Sequence, residues 1–229
     1  MLRYLFTLSL LFGIDQQNFQ IEFLGISAAE VQLHSIDTLY DKQNAKLIHF
    51  QTESKGLVKY LFNVDNHYTT IISQDFNKIL SFNKNTEQPN VINNIHTSRQ
   101  MGETVYNNSS TIIPDKHFNI FSLLYFLSNN KITETQIVHI EREGNFYNGS
   151  IVPIDILNNN RILYRLELDK KHDAQNTSII EKTDIFTWAL FKDQAKREIL
   201  VDYNTNNIIS CMFKVNGIAM KAYNNKYME

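Results

Sequence analysis

The residues able to do chemistry in this 229-residue chain are scattered rather than arrayed. None of the seven histidines forms an H-E-x-x-H or H-x-H pattern. His34, His49 and His67 fall on segments that read as successive strands. They would converge on a metal through neutral imidazoles only if three strand registers agreed. Polar-face histidines are the plainer expectation, and no metal is expected. His139, Glu141 and Glu143 alternate along one segment and so share a strand face. With Arg142 opposite, they could supply half of an acid–base site for a hydrolase; an exposed polar face is the simpler expectation. The single cysteine, Cys211, sits among Ile208, Ile209 and Met212 and reads as a small buried hydrophobe. One cysteine allows no internal disulfide or CxxC pair. Ser109 and Ser150 lack the glycines of a nucleophile elbow, and no phosphate-binding loop occurs among the seven glycines. The chain is therefore expected to be non-catalytic, with no catalytic residue and no cofactor.

Composition narrows the class. Hydrophobic residues make up 43% and aromatic residues 12%, enough for a packed core. A net charge of −2 with interspersed signs gives no footprint for nucleic acid. Met1-Leu2-Arg3 followed by the apolar run Tyr4–Ile14 has the form of a secretory signal. The expected organisation is a signal peptide over 1–14 and one β-rich domain over 15–229. The expected location is the periplasm or elsewhere outside the cytoplasm. No transmembrane span is expected.

Most of the chain alternates with period two. Phe19, Ile21 and Phe23 alternate with Gln20 and Glu22, and Ala29, Val31 and Leu33 pair back as a hairpin. Leu47–Ser54, Leu57–Asn63, His67–Ser73 and Ile79–Phe82 read as further strands, with a turn at Asp65-Asn66. Asn83–Asn94 is polar and reads as a loop or strand edge. In the second half, Gln136–Glu143, Phe146–Leu157, Arg161–Asp169, Asp184–Lys192, Glu198–Tyr203 and Ile208–Val215 read as strands. Asn216-Gly217 is a type I′ hairpin signal into Ile218–Tyr223.

One stretch breaks the pattern. Asp115–Asn130 carries Phe118, Phe121, Leu124 and Tyr125 at helical spacing, and Ile120, Leu123, Phe126 and Leu127 fill the remaining faces. Such a helix is buried on nearly all sides. Asp115 or Asn119 can cap it, and Asn129 and Asn130 suit its end. The expected fold is mainly β: an antiparallel, strongly curved sheet or open barrel packed on one central α-helix.

Four stretches carry a family resemblance. Ile21–Glu30 (IEFLGISAAE) is a strand, a turn and a step of small residues. Thr52–Tyr68 (TESKGLVKYLFNVDNHY) has the form T-x-S-x-G followed by D-x-x-Y. Asn119–Leu127 (NIFSLLYFL) is the helix, and Trp188–Val201 (WALFKDQAKREILV) joins a tryptophan segment to a turn and return strand. In these stretches the chain resembles the exported bacterial family catalogued as domain of unknown function 3108. The resemblance implies an exported, mainly β protein and brings no catalytic residues and no ligand.

The leading functional expectation is an envelope protein that holds a hydrophobic or lipid-like ligand, or serves envelope assembly. Phe121, Leu124, Tyr125 and Trp188 would line the site. The alternative is a structural or protein-interaction module that pairs with an envelope partner through an exposed edge strand.

Overall fold

Alternating sequence becomes alternating burial. In the strand β12 (Arg161–Lys170), Ile162, Tyr164 and Leu166 are buried while Arg161, Leu163 and Arg165 are not. The computed structural model describes residues 14–157, 160–171 and 178–228. Expectations for the N-terminal signal thus fall on residues outside the described ones, apart from Ile14, which opens β1.

Among the described residues, fifteen strands form one sheet. The first half runs as a meander: β1 (Ile14–Phe23), β2 (Ile26–Tyr40), β3 (Gln43–Ser54), β4 (Asp65–Ser73), β5 (Ile79–Gln88), β6 (Val91–Gln100), β7 (Glu103–Tyr106) and β8 (Ile112–Ile113). The second half runs from β9 (His117–Phe118) through β10 (Gln136–Arg142), β11 (Asn145–Leu157), β12, β13 (Lys196–Asp202) and β14 (Asn207–Val215) to β15 (Ile218–Asn224). Strand β1 pairs with β2 on one side and with β15 on the other. The two sheet edges are therefore β8 and β9, which are neighbours in sequence. The result is a nearly closed, barrel-shaped sheet.

Pairing is antiparallel except between β9 and β10, which run parallel. Parallel neighbours need a crossover of a dozen or more residues, usually a helix. The helix α2 (Ile120–Asn129) lies in that crossover. It is shorter than its sequence suggested, because His117 and Phe118 join the sheet instead. Asn119 is the cap: Ser122 N donates to its Oδ1 at 2.9 Å, and Asn119 N donates to Ser122 Oγ at 3.1 Å. The Asn119 amide also donates to Thr70 Oγ1 on β4 at 2.9 Å. At the far end, Tyr203 OH donates to the carbonyls of Leu127 and Asn130 at 2.9 and 3.1 Å. Both buried helix ends thus have the partners that a helix terminus requires.

Leu124 of α2 borders a small void together with Ile208 and Cys211 of β14, and aromatic side chains of α2 meet the first half of the sheet. The Phe121 ring lies 5.0 Å from Phe50 on β3 and 4.4 Å from Tyr68 on β4. Tyr125 stacks on Phe76, 5.9 Å away, in the β4–β5 turn.

Two expected strands are helices. Leu57–Asn63 folds as α1 (Gly56–Leu61), and Asp184–Lys192 folds as α3 (Ile185–Phe191). Gly56 takes φ +55 as the chain leaves β3, a conformation glycine adopts without strain. Asp184 caps α3 by accepting from Thr187 N at 2.8 Å. The one-helix expectation is therefore incomplete. The polar Asn83–Asn94 stretch, expected as a loop or strand edge, supplies the facing strands β5 and β6. Asn216 and Gly217 take φ 49 and 80 at the β14–β15 hairpin, the positive values a type I′ turn demands.

Leu124 on α2 is 5% exposed. Leu124→Ala should destabilise the fold by about 2–5 kcal/mol, read as a lowered urea midpoint with an unchanged slope.

Candidate functional site

The hairpin turns alternate between two ends of the barrel. The β1–β2 turn, α1, the β5–β6 turn, the β10–β11 turn and the β14–β15 turn all lie at one end by register. An apolar cavity of about 340 Å³ sits there. Ile21 and Phe23 of β1, Ala28 and Ala29 of β2, and Met220 of β15 contribute to its walls. Val58 and Phe62 come from α1 and its C-cap, and Ile185 and Phe186 from α3. This volume is at the low end of the roughly 300–1,000 Å³ typical of small-molecule sites.

The cavity wall also holds polar side chains of the sheet. Thr52 on β3 and Asn66 on β4 are register partners, and both border the cavity. Asn66 is fully buried, yet neither its amide nitrogen nor its oxygen has a hydrogen-bond partner among the described residues. The Thr52 hydroxyl is likewise buried and unpaired. Buried polar groups are normally satisfied, and each exception calls for an explanation. The sequence placed Asn66 in a turn, whereas it lies inside β4 with its side chain in the interior.

None of the four expected ligand-lining residues borders this cavity. Phe121 and Leu124 border smaller voids of about 20 and 30 Å³. Tyr125 lies 5.7 Å beneath the Lys46 ammonium. Trp188 is 48% exposed on α3, with Lys192 Nζ 5.6 Å over its ring. The helical period explains this: Phe186, two residues earlier, turns inward to the cavity while Trp188 turns away. A strand would have put both on one face.

One row deeper, at the level of Tyr68, lies a cluster of buried charge. Lys84 on β5, the register partner of Tyr68, is 1% exposed. Its ammonium donates to Asp184 Oδ2 at 2.5 Å, to Thr183 Oγ1 at 3.0 Å, and to Glu143 Oε1. Burial pushes the Asp184 carboxyl up, but the Lys84 charge and the hydrogen bonds from Lys84 and Thr187 outweigh it and hold its pKa below the ordinary value. Beside this cluster, Glu141 on β10 accepts from Tyr106 OH at 2.5 Å and from Gly144 N at 2.8 Å. Burial nevertheless raises its pKa to about 7. The Tyr68 and Tyr106 phenols are pushed well up, first by burial and then by the neighbouring carboxylates.

These carboxylates correct the expectation of an exposed polar face. Glu141 and Glu143 are 1% and 3% exposed. Glu143 has left the strand for the β10–β11 turn at φ 52. His139 stacks on His117, with centroids 5.3 Å apart. Nothing local in the sequence announced the burial, because the partners Lys84, Tyr106 and Asp184 are distant along the chain. The void beside the cluster, about 20 Å³, has room for about one water.

The histidine row on β2–β4 does assemble. His34 and His49 rings lie 6.4 Å apart, and His49 and His67 5.8 Å apart. His49 bonds to Thr69 Oγ1 at 3.1 Å, and His67 pairs with Asp65 at 2.8 Å. Burial, then His67 and His34, lower the His49 pKa. Among the described residues no group of three or more His, Cys, Asp or Glu is placed to hold a metal. Cys211 is buried, and burial pushes its thiol to about 12, so little reactive thiolate forms at neutral pH. No helix among the described residues is long and apolar enough to cross a membrane.

A barrel-like sheet of this kind is found among solved structures. The chain is similar to the crystal structure of a β-barrel-like protein of domain of unknown function DUF1849 from Brucella abortus. The match covers 91% of this chain and 94% of that chain, with TM-score 0.50 and 8% sequence identity. At that identity the likeness concerns the fold alone. No family model matches the chain, so the resemblance to domain of unknown function 3108 rests on its motifs. No curated protein matches it either.

Lys84→Met should cost about 3–5 kcal/mol, because it strands Glu143 and Asp184 as uncompensated buried carboxylates; chemical denaturation measures this. Glu141 gives a pH signature. Its carboxyl is raised in the folded state, so its contribution is present below the ordinary value of 4.5 and lost as pH rises to about 7. The loss approaches roughly 3 kcal/mol. Glu141→Gln should flatten the fall in stability between those pH values.

Proposed function

We propose that this protein is a non-catalytic, exported binder that holds a small hydrophobic or amphipathic ligand in the cavity between α1, α3 and the β1–β4 wall. The signal-like N-terminus supports a periplasmic or other envelope location. One observation carries the reading: an almost wholly apolar cavity of about 340 Å³ bordered by the unpaired, buried Asn66 amide and Thr52 hydroxyl. Mostly apolar walls with a few polar groups that fix orientation are what small-molecule sites share. The size suits one acyl chain or a compact ring system rather than a two-chain lipid. The polar end of such a ligand would satisfy the Asn66 amide after a small side-chain rotation.

The interaction-module reading has less to work with. The two sheet edges are strands of two residues each, and short edges offer a partner strand little to pair with. The hydrolase reading is weaker still, since Glu141 Oε1 is already taken by Tyr106 and Gly144.

Native mass spectrometry of protein purified without detergent from its own envelope fraction tests the proposal. The expected result is a discrete extra mass of single-chain lipid size. Ala28→Trp, which fills the cavity from a half-buried position, should abolish that mass and leave the melting temperature nearly unchanged. A bare protein mass, together with no uptake of an added acyl probe, overturns the reading.

A further inference from the structure

We infer that the cavity takes its ligand head first and that the head is an uncharged amide edge, the carboxamide or lactam of a single-chain or compact amphiphile. The assignment rests on the cavity being a ligand site, as proposed above, and names what that site selects. Strand register sets the depth of the polar groups. Thr52 on β3 and Asn66 on β4 are partners, and the next inward-facing pair is Phe50 and Tyr68. Those two rings lie 5.9 Å apart and both pack on Phe121, so the filled core begins there. Thr52 and Asn66 thus form the inner floor of the cavity, and Val58 and Phe62 border it from α1 and its C-cap.

The chemistry of this floor selects the head. Asn66 is fully buried, and both its Oδ1 and its Nδ2 lack a partner among the described residues. A side-chain amide presents an acceptor and a donor side by side. The C=O and N–H edge of a primary carboxamide or a lactam meets both at once, whereas an ester meets only the donor. The Thr52 hydroxyl, also buried and unpaired, can bond the same head. Ser54, the other polar residue of the wall, is already engaged, since its Oγ accepts from Val64 N at 2.9 Å. No described residue that borders the cavity is charged. Lys84, one row deeper, is held by Glu143, Thr183 and Asp184. A carboxylate, phosphate or ammonium on this floor would therefore be a buried charge without a counter-ion, which costs far more than burying a paired amide. The outer end gives an anion no better place. On the outer face beside α1, register aligns Glu30, Glu53, Asp65 and Glu87 in one row, and Lys55 is ion-paired with Glu30.

Calorimetric titration with probes of one chain length and three heads tests this: decanamide, decanoate and decylammonium, on full-chain protein cleared of co-purified ligand over a hydrophobic resin. Decanamide should bind about tenfold or more tighter than either ion. Thr52→Val and Asn66→Leu should each weaken decanamide binding by about tenfold. The melting temperature of the ligand-free variants should hold or rise, because an unpaired buried polar group gives way to an apolar one of similar shape. A purely structural Asn66 would instead lower it on replacement. Should Asn66→Leu fail to fold, the nearly isosteric Thr52→Val carries the comparison. The inference is overturned if decanoate or decylammonium binds as tightly as decanamide; the charged end then lies at the mouth, and the cavity remains a ligand site. It is also overturned if the folded variants bind decanamide as the parent does. Uptake of none of the three probes overturns both this inference and the binding role on which it rests.

Discussion

The Lys84 ammonium is the point where three remote parts of the chain are held to one geometry. It reaches from β5 to Glu143 in the β10–β11 turn and to Asp184 at the start of α3. A buried ion pair contributes little net stability, because desolvating the charges offsets most of their attraction. Removing one partner is another matter, since the remaining charges are then stranded. The arrangement therefore works mainly as a constraint. It decides where α3 begins, because Asp184 binds Lys84 with one carboxylate oxygen and caps the helix with the other. With α3 fixed, Ile185 and Phe186 face the end cavity.

The helix α2 sets the other boundary condition. A buried helix must have its terminal N–H and C=O groups met without solvent. Asn119, Ser122, Thr70 and Tyr203 do this from the helix itself, β4 and the loop after β13. The Phe50, Tyr68, Phe121 and Phe186 rings then pack between α2 and the wall. This packing leaves voids of about 20 and 30 Å³ beside Phe121 and Leu124, whereas the cavity of about 340 Å³ lies toward the α1 end. That is why Phe121 and Leu124 are core while Ala28, Val58 and Phe62 border the cavity.

Much of the architecture was legible because half-buried strands alternate with period two. The hairpins at Gly25 and Asn216-Gly217, and a buried helix after Pro114, follow directly from local pattern. The failures have physical causes. Leu57–Asn63 and Asp184–Lys192 are short apolar runs, whose periodicity does not separate strand from helix. The Asn-rich β5–β6 hairpin looked like a loop or strand edge because its polar side chains are matched across strands, as His96 is to Asn83 and Asn93 to Thr86. The candidate site was the least legible part. Asn66, Lys84 and Glu141 are ordinary surface residue types, and only long-range register buries them.

The order of strands has a consequence for how the chain becomes a barrel. The first described strand finds β2 across a two-residue turn, but its second partner is β15, the last strand. Gln17 fastens this junction from inside: its Oε1 accepts from Ile208 N at 2.9 Å and from the Asn224 amide at 3.4 Å. Each half can form as a meander from local contacts. The ladder that unites them spans nearly the whole sequence, and loop-closure entropy makes such contacts the slow ones. Until β15 arrives, the inner faces of both halves and the apolar residues of β1 have no cover. The long interval between the first strand and its last partner is thus the period in which this fold is most open to misassembly or to the grip of a chaperone.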